Sequence, residues 1–418
     1  MSPGNVIEHT MTDTHSHRFA YVSGDALYVC EGEGVVRRVE SRFGQAVRDR
    51  AQRIAQRHAW KREGQRDGLL SGRSLWGSAA GEADALRVAI VGVGRGRRPG
   101  ELLYALDTDE VSGVFAVPTR EPDDGEGQGE GEGPEEDRLF HSNHVRVDQL
   151  AAHPSADAIA CSVRADQGAT QIGVMKADGT GLDQVTEGDS LDQAPCWVPG
   201  RERTLVFQSA GIGRDSNGEP VALAPFAVEQ LDLETGELLT RAESPRFDYL
   251  TPRIGPDGLL YTLRRPWQGD AAPSHWNALL DFLAMPFRLL HALFQWLNLF
   301  TAMYTGRKLT SSGGPEQDGP DVKWMVVWGN LIEAHKAERR GRLRGEDAPD
   351  LVPRSYELVR HRPDGEPEVL AKAVLAFDVA SDGSLLVSNG SAVDCIAPDG
   401  ARKRLVTAAR IGQVVALD

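Results

Sequence analysis

Cysteine is scarce in this sequence, and its spacing excludes the sites that a cysteine pattern most readily reveals. Only four cysteines occur among the 418 residues: Cys30, Cys161, Cys196 and Cys395. No two of them form a CxxC motif, so the spacing indicates neither a zinc site nor a redox pair. Three of the four lie in apolar runs typical of strands, and we expect small buried thiols in a reducing compartment.

Basic residues are fewer than acidic ones. The first residues also contain no apolar segment. The formal net charge is −15, which argues against general binding of DNA or RNA and predicts no nucleic-acid partner. Residues 1–18 are polar and have no apolar h-region, so they do not resemble a secretory signal peptide. We expect residues 1–17 to be disordered and the protein to be cytoplasmic.

The motifs that would indicate an enzyme are incomplete or missing. Residues 88–96 resemble a dinucleotide-binding turn, but Arg97 stands where the third glycine belongs and Pro99–Gly100 would stop the helix. Residues 188–191 spell the GDSL of certain esterases without a DxxH partner, and no GxSxG occurs. We therefore predict a strand hairpin in the first case, a loop in the second, no catalytic residue and no cofactor.

Short strand-like runs separated by tight-turn residues are abundant. The chain contains 45 glycines and 23 prolines, and Asp-Gly pairs recur at 178–179, 257–258, 382–383 and 399–400. Asp-Gly supplies the positive-φ residues of tight hairpins, and the flanking runs rich in Val, Ile, Leu and Tyr suit buried pleats. The pattern predicts an all-β fold.

One unit of this pattern resembles a known repeat. Residues 170–186, TQIGVMKADGTGLDQVT, are similar to the strand-turn-strand repeat of TolB-like β-propellers, and residues 192–200, DQAPCWVPG, resemble the start of the next blade. The second match departs from the family where Val198 replaces a serine and Arg201 follows Gly200 with no aspartate. The resemblance implies a six-bladed ring and protein–protein recognition at one of its faces.

Counting units of this kind gives six blades in one domain over residues 18–418. The predicted blades fall at 19–39, 86–117, 146–187, 192–243, 249–370 with a long interruption, and 373–407. The final run, Ile411–Leu417, has no partner of its own, and we expect it to complete blade 1 and remove an open edge. The predicted fold class is therefore an all-β, six-bladed β-propeller with inserted amphipathic helices.

Two shorter insertions interrupt the repeated pattern of strands. Residues 41–66 predict a basic helix, because Phe43, Val47, Ala51 and Ile54 follow helical spacing among many arginines. Residues 121–137 hold nine acidic residues, no basic one and almost nothing apolar, so we expect a disordered loop.

A third insertion, residues 270–350 within blade 5, predicts a helical hairpin. Residues 275–304 follow helical spacing with Pro286 as a kink, and residues 322–344 predict a second helix with a basic end. Leaving the apolar face of the first helix in water would cost on the order of 10 kcal/mol. We predict that it binds a membrane or a partner through the following residues: Trp276, Leu280, Leu283, Phe287, Leu290, Phe294, Leu297, Trp324, Trp328, Arg339 and Arg340.

The sequence leaves several alternatives for what buries that apolar face. A transmembrane span is long enough, but Asp281 and Arg288 would each cost about 2.5–3.5 kcal/mol near the bilayer centre. An interfacial helix pair suits the mixture of aromatic and basic residues, and a groove on a partner protein or self-association suits it as well. The remaining alternative is packing against the propeller itself.

The leading hypothesis is a non-enzymatic interaction scaffold, peripherally attached to the cytoplasmic membrane or to a membrane protein. The alternative is a propeller enzyme, a small-molecule hydrolase or lyase with a metal in the central channel. His144 with Asp148 or His153 could face such a channel, but their spacing matches no metal signature and we predict no metal ligand. A third hypothesis is a sensor whose insertion responds to a ligand in the ring.

Overall fold

A computed structural model describes most of the predicted propeller. The described residues are 17–32, 35–63, 88–108, 110–119, 136–164, 168–267, 325–327, 330–332, 341, 343, 345–363 and 365–417. Within residues 55–63, 325–327 and 330–332 only the backbone is described.

The first three blades follow one another along the chain. Blade 1 contains the strands β1 (Phe19–Ser23), β2 (Ala26–Cys30) and β3 (Val36–Val39). The helix α1 (Arg42–Glu63) comes next. Blade 2 contains β4 (Val88–Arg95), β5 (Glu101–Thr108), β6 (Ser112–Pro118) and β7 (Asp137–Ser142). Blade 3 contains β8 (Arg146–Ala152), β9 (Ile159–Arg164), β10 (Thr170–Met175) and β11 (Asp183–Gln184).

Blades 4 and 5 each hold an extra hairpin between their strands. Blade 4 runs through β12 (Gln193–Trp197), β13 (Thr204–Ser209), the hairpin β14 (Ile212–Arg214) and β15 (Pro220–Leu223), then β16 (Ala227–Asp232) and β17 (Leu238–Ala242). Blade 5 runs through β18 (Phe247–Ile254), β19 (Leu260–Pro266), the hairpin β20 (Met325–Val327) and β21 (Asn330–Ile332), then β22 (Glu357–His361) and β23 (Glu368–Lys372).

Blade 6 precedes the strand that closes the ring. It contains β24 (Ala376–Val379), β25 (Leu385–Ser388), β26 (Ala392–Ile396) and β27 (Arg402–Thr407), and β28 (Ile411–Ala416) follows it. β28 pairs antiparallel with β1, with Phe19 opposite Ala416, and becomes the first strand of blade 1. The predicted closure of blade 1 by the final strand is confirmed.

Six four-stranded sheets form the ring, as predicted. Their first strands contact one another in the cyclic order β28, β4, β8, β12, β18, β24 and back to β28, so these six strands surround the axis. We call the face where these strands begin the N-face and the face where they end the C-face. Apolar side chains fill the space between neighbouring sheets; between blades 1 and 2, for example, Tyr104 and Phe115 stack with their ring centroids 5.3 Å apart.

The helix α1 occupies residues 42–63 of the segment 41–66, and an acidic residue fixes its start. The Ser41 hydroxyl accepts a hydrogen bond from the Gly44 amide at 3.0 Å. The Glu136 carboxylate accepts from the amides of Arg42 and Phe43 and from the Tyr104 hydroxyl. A carboxylate at this position stabilises the unpaired amides at the helix start.

The prediction that the whole acidic segment is disordered is therefore wrong at its end. Glu136 caps α1, and Asp137 begins β7 opposite Ala116. The rest of that segment, residues 121–135, lies outside the described residues, as do residues 1–16. Composition did not show that the last two carboxylates have fixed partners in a distant helix and in a strand.

Inside the large insertion, the structure differs from the predicted second helix. Residues 325–327 and 330–332 form an antiparallel hairpin, with Met325 opposite Ile332, where a helix over 322–344 was predicted. Two adjacent valines favour extended backbone, and Gly329 disfavours a helix interior. The first predicted helix lies outside the described residues. Among the described residues, no helix is long and apolar enough to cross a membrane.

At bulges in the inner strands, backbone amides donate hydrogen bonds outside their own sheet. The acceptors are polar side chains of the preceding blade. The register shifts between Gln193 and Cys196 in β12 and between Leu250 and Arg253 in β18. The freed Ala194 amide donates to Gln149 Oε1 at 2.9 Å. Each inner strand is thereby tied to the blade before it.

The same kind of tie recurs at other junctions of the ring. The Thr251 amide donates to Gln208 Oε1 at 2.7 Å, and the Val93 amide donates to Gln413 Oε1 at 3.1 Å. Ala194 and Thr251 have φ angles of 54° and 51°, in the left-handed region that non-glycine residues seldom adopt. The hydrogen bonds hold these residues there.

We expect Gln208→Leu to lower the free energy of unfolding by about 1–3 kcal/mol, because the Thr251 amide would remain buried without an acceptor. Chemical denaturation of the purified protein measures the change. Gln230→Leu on β16 is the matched control, since Gln230 meets only the exposed Arg241 side chain, and we expect a change within about 0.5 kcal/mol. Equal losses in both variants would contradict the role of the inter-blade tie.

Candidate functional site at the channel mouth

The residues predicted from the sequence to bind a membrane or a partner are not placed by the structure. All of them lie within 276–340 and outside the described residues. Their role remains a prediction. The described part of the chain contains a different candidate site.

A cavity of about 370 Å³ opens at the C-face, where the six inner strands end. Each inner strand contributes its last residues to the wall: Arg95, Ala152, Trp197, Ile254, Val379 and Leu417, the last of these lying just beyond β28. This volume lies within the range of about 300–1,000 Å³ that small-molecule sites occupy. The mouth of the channel is therefore large enough for a ligand.

Two arginines and one carboxylate from three blades meet in this cavity. Arg253 Nε lies 3.1 Å from Asp378 Oδ1, and Arg95 Nη2 lies 3.3 Å from Asp378 Oδ2. The Ala416 amide also donates to Oδ2 at 2.9 Å. Arg95 Nη2 donates to the Val379 carbonyl at 2.6 Å, and Arg253 Nη1 donates to the Pro252 carbonyl at 2.9 Å.

The burial of these three side chains differs. The Asp378 side chain is 6% exposed, the Arg253 side chain 23% and the Arg95 side chain 43%. The carboxylate is therefore enclosed behind the two guanidinium groups, which lie closer to solvent.

A second ion pair, between Arg97 and Glu101, lies on the same rim. Arg97 makes a short bidentate ion pair with Glu101, and its Nη1 donates to the Ala177 carbonyl at 3.1 Å. This contact raises the pKa of Arg97, and it lowers the pKa of Glu101 against the opposing effect of burial. Arg97 and Glu101 thus neutralise each other, and the charge of Arg98, which also lines the cavity, lowers the pKa of Glu101 further.

Cys196 and Trp197 form part of the wall and offer no reactive group. Burial raises the pKa of the Cys196 thiol, although Arg253 favours the thiolate. A protonated thiol is a poor nucleophile at neutral pH. Trp197 donates its indole N–H to the Ala151 carbonyl at 2.9 Å, so this ring is fixed in place.

Sequence reasoning missed the charged cluster, although one signal was available. The turns after β12, β18 and β24 are each closed by a hydrogen bond that a backbone amide donates across the turn. The donors are Val198, Gly255 and Ala380 respectively. Counting two residues back from each turn gives Cys196, Arg253 and Asp378. Charged residues at a repeat position that is otherwise apolar indicate side chains at the channel mouth.

The histidines and aspartate considered for a channel metal are not brought together. His144 precedes β8 and His153 follows it, so the seven-residue strand separates them by roughly 20 Å. His153 Nδ1 accepts hydrogen bonds from the amides of Ser155 and Ala156 at 3.1 and 2.7 Å, which fixes a turn. Within the described ranges, no group of three or more His, Cys, Asp or Glu side chains is placed to hold a metal ion.

Asp148 has an unusual environment for a carboxylate. It lies in β8, its Oδ1 has no hydrogen-bond partner among the described residues, and its Oδ2 is 3.7 Å from Arg164 Nη2. Burial raises the pKa of Asp148 to about 6, because the attraction of Arg164 is too weak to offset it. Ionised Asp148 therefore opposes folding at neutral pH.

No protein-family model matches this chain, and no curated protein matches it. Its fold is similar to that of a solved nidogen/laminin complex, with 8% identity, 96% of this chain and 98% of that chain covered, and a TM-score of 0.47. TolB from Acinetobacter baumannii matches with 10% identity, 96% and 66% coverage, and a TM-score of 0.47. A TolB-type protein from Agrobacterium tumefaciens matches with 11% identity, 78% and 84% coverage, and a TM-score of 0.40.

Similarity at this level carries no argument about function. The six-bladed propeller predicted from the repeat is confirmed by the strand topology of the chain itself. TolB proteins are among the solved structures that match it, in keeping with the repeat at residues 170–200.

We expect Asp148→Asn to raise the free energy of unfolding by about 1–3 kcal/mol at pH 8, because the amide removes a charge that burial disfavours. The folded-state pKa is raised, so the penalty is complete above pH 6. It falls with pH and is lost near the unfolded pKa of about 4. Denaturation at pH 8, 6 and 4 tests this.

Asp157→Asn serves as the control for this experiment, since Asp157 is an exposed aspartate in the turn that follows β8. We expect its stability to follow that of the wild-type protein at each pH. A Asp148→Asn variant that is less stable than wild type at pH 8 would show that the ion pair with Arg164 outweighs burial.

Proposed function

We propose that this protein is a non-enzymatic interaction scaffold that attaches to a membrane surface or a membrane protein through the segment 268–344. The observation that carries the proposal is that both ends of this segment are fixed to the N-face of a closed ring. Pro266, at the end of β19, pairs with Phe247, at the start of β18, so the segment departs from the N-face.

The ring does not depend on the segment for the integrity of blade 5. β19 and β22 pair directly, with Leu263 opposite Leu358. The Trp267 amide also donates to the Arg246 carbonyl at 2.9 Å, which extends the pairing past the last strand residue. The blade is complete on both sides of the segment.

The returning chain, residues 345–356, is fastened to blade 6. The Leu351 amide donates to the Asn389 carbonyl at 3.0 Å, and Asn389 Nδ2 donates to Asp350 Oδ1 at 2.9 Å. Leu351 is buried against Gly390, whose φ of 94° and lack of a side chain leave room for it. Both ends of the segment are thus held by specific contacts.

The composition of the segment supports a surface role. It combines an apolar, aromatic stretch with arginines at 339, 340, 342 and 344, a combination that suits the interface of a bilayer containing anionic lipid. Recognition of a partner protein through the same residues is the other form of the proposal, and the proposed location is the cytoplasmic side of the membrane.

Deleting residues 268–344 and joining Trp267 to Gly345 by a short Gly/Ser linker should leave a folded ring, because β19 and β22 remain paired. We expect the full chain to sediment with vesicles of phosphatidylcholine and phosphatidylglycerol and the deletion variant to stay in the supernatant. The near- and far-ultraviolet circular dichroism of the variant checks its fold. If the full chain does not sediment, the lipid form of the proposal fails.

A charge reversal tests the basic end of the segment within the intact chain. We expect the double variant Arg339→Glu, Arg340→Glu to weaken sedimentation, since each basic residue near anionic lipid contributes about 1 kcal/mol. The matched control is Arg138→Glu, Arg201→Glu, which reverses two exposed charges on the ring itself. Equal weakening by both pairs would show attraction by overall charge and would contradict a specific role of the segment.

A further inference from the structure

We propose that the cavity at the C-face binds the carboxylate of an apolar organic acid, with Arg95 and Arg253 as its anchors. This site lies at the opposite face of the ring from the points where the segment 268–344 leaves and rejoins it, and it is independent of the scaffold role. The repeat does not require a charged residue at the position of Arg253 and Asp378, because Cys196 occupies the equivalent position in blade 4.

The charges at the deep end of the cavity do not balance. Arg95 and Arg253 carry two positive charges, and Asp378 between them supplies one negative charge. Asp378 already accepts Arg253 on one oxygen and both Arg95 and the Ala416 amide on the other. One positive charge therefore remains, in a chain whose formal net charge is −15.

The arginines still have donors to offer. The hydrogen bonds of these side chains among the described residues are made by Arg95 Nη2 and by Arg253 Nε and Nη1, so Arg95 Nε, Arg95 Nη1 and Arg253 Nη2 make none there. A guanidinium group binds a carboxylate by two parallel N–H···O bonds, and such charge-assisted bonds are stronger than neutral ones. An incoming carboxylate would complete the pairing that Asp378 leaves unfinished.

The charge of the site favours a singly charged ligand. The buried Asp378 carboxylate repels anions, and a doubly charged phosphate would meet this repulsion with an excess of only one positive charge at the anchors. A carboxylate matches that excess. Arg98 on the rim adds attraction during approach without a fixed contact.

The rest of the wall suits an apolar body. Val93, Leu150, Trp197, Val415 and Leu417 line the cavity around the charged end. Trp197 is fixed by its indole hydrogen bond and presents a rigid aromatic surface. An acid with a short alkyl or aryl body would bury that body while its carboxylate meets the arginines.

The probe is 4-phenylbutyrate, titrated calorimetrically into the full chain at low ionic strength. We expect saturable binding at one site per chain, and binding at least about tenfold weaker for the uncharged 4-phenylbutyramide and for phenyl phosphate. Binding of the amide as tight as that of the acid would overturn the proposal. No saturable binding of the acid up to about 10 mM would overturn it as well.

Substitution of Arg95 tests the anchor with little risk to the fold, because this side chain is the more exposed of the two. We expect Arg95→Gln to weaken 4-phenylbutyrate binding at least about tenfold, and Arg95→Lys to restore part of the loss. The matched control Arg138→Gln removes the same charge from an exposed site on β7 and should leave binding unchanged. Equal loss in Arg95→Gln and Arg138→Gln would overturn the proposal.

The source of the carboxylate is distinguished by a pentapeptide ending in leucine, with a free or an amidated terminus. Binding of the free form that is tighter than that of 4-phenylbutyrate, and lost on amidation, supports the site and assigns the carboxylate to a peptide terminus. Weaker binding of the free peptide supports a small organic acid. Equal binding of the free and amidated peptides at this site would overturn recognition through the carboxylate.

Discussion

The ring depends on a hydrogen bond that crosses from each blade to the next. A polar side chain of one blade accepts a backbone amide in the inner strand of its neighbour, as Gln149 does for Ala194 and Gln208 for Thr251. Ser112 does the same for the Val147 amide between blades 2 and 3. Apolar packing alone would hold the sheets together, but these bonds fix the angle and register of each sheet against the next.

At the channel mouth, the link between neighbouring blades involves charged side chains. Between blades 5 and 6 the link is the ion pair of Arg253 with Asp378, and between blades 6 and 1 it is the bond from the Ala416 amide to the same carboxylate. One aspartate thus serves two junctions. Arg95 joins it from blade 2, and the charge imbalance that makes the cavity a candidate site follows from this shared use.

Much of the architecture was predictable because it is local. Asp-Gly turns and alternating apolar runs predicted the strand pairs and the six blades, and the helical spacing of Phe43 and Val47 predicted α1. The closing strand, whose partner is distant in sequence, was predicted only because the final run had no partner of its own. The site was predictable only in part, because the repeat position marks Arg253 and Asp378 but not Arg95. Arg95, Arg253 and Asp378 come from three blades separated by more than one hundred residues of sequence, and periodicity does not reveal which turns meet at the axis. Glu136 was missed for the same reason, since its partners lie in α1 and β5.

The pairing of Phe19 with Ala416 also determines when the protein can fold. The ring cannot close until residues 411–416 have been synthesised, so blade 1 waits with an unpaired inner edge while the other five blades form. Pairing of strands so far apart in sequence is slow compared with hairpin formation. Until then the open edge of β1 can mispair with another molecule, and β28 ends that exposure.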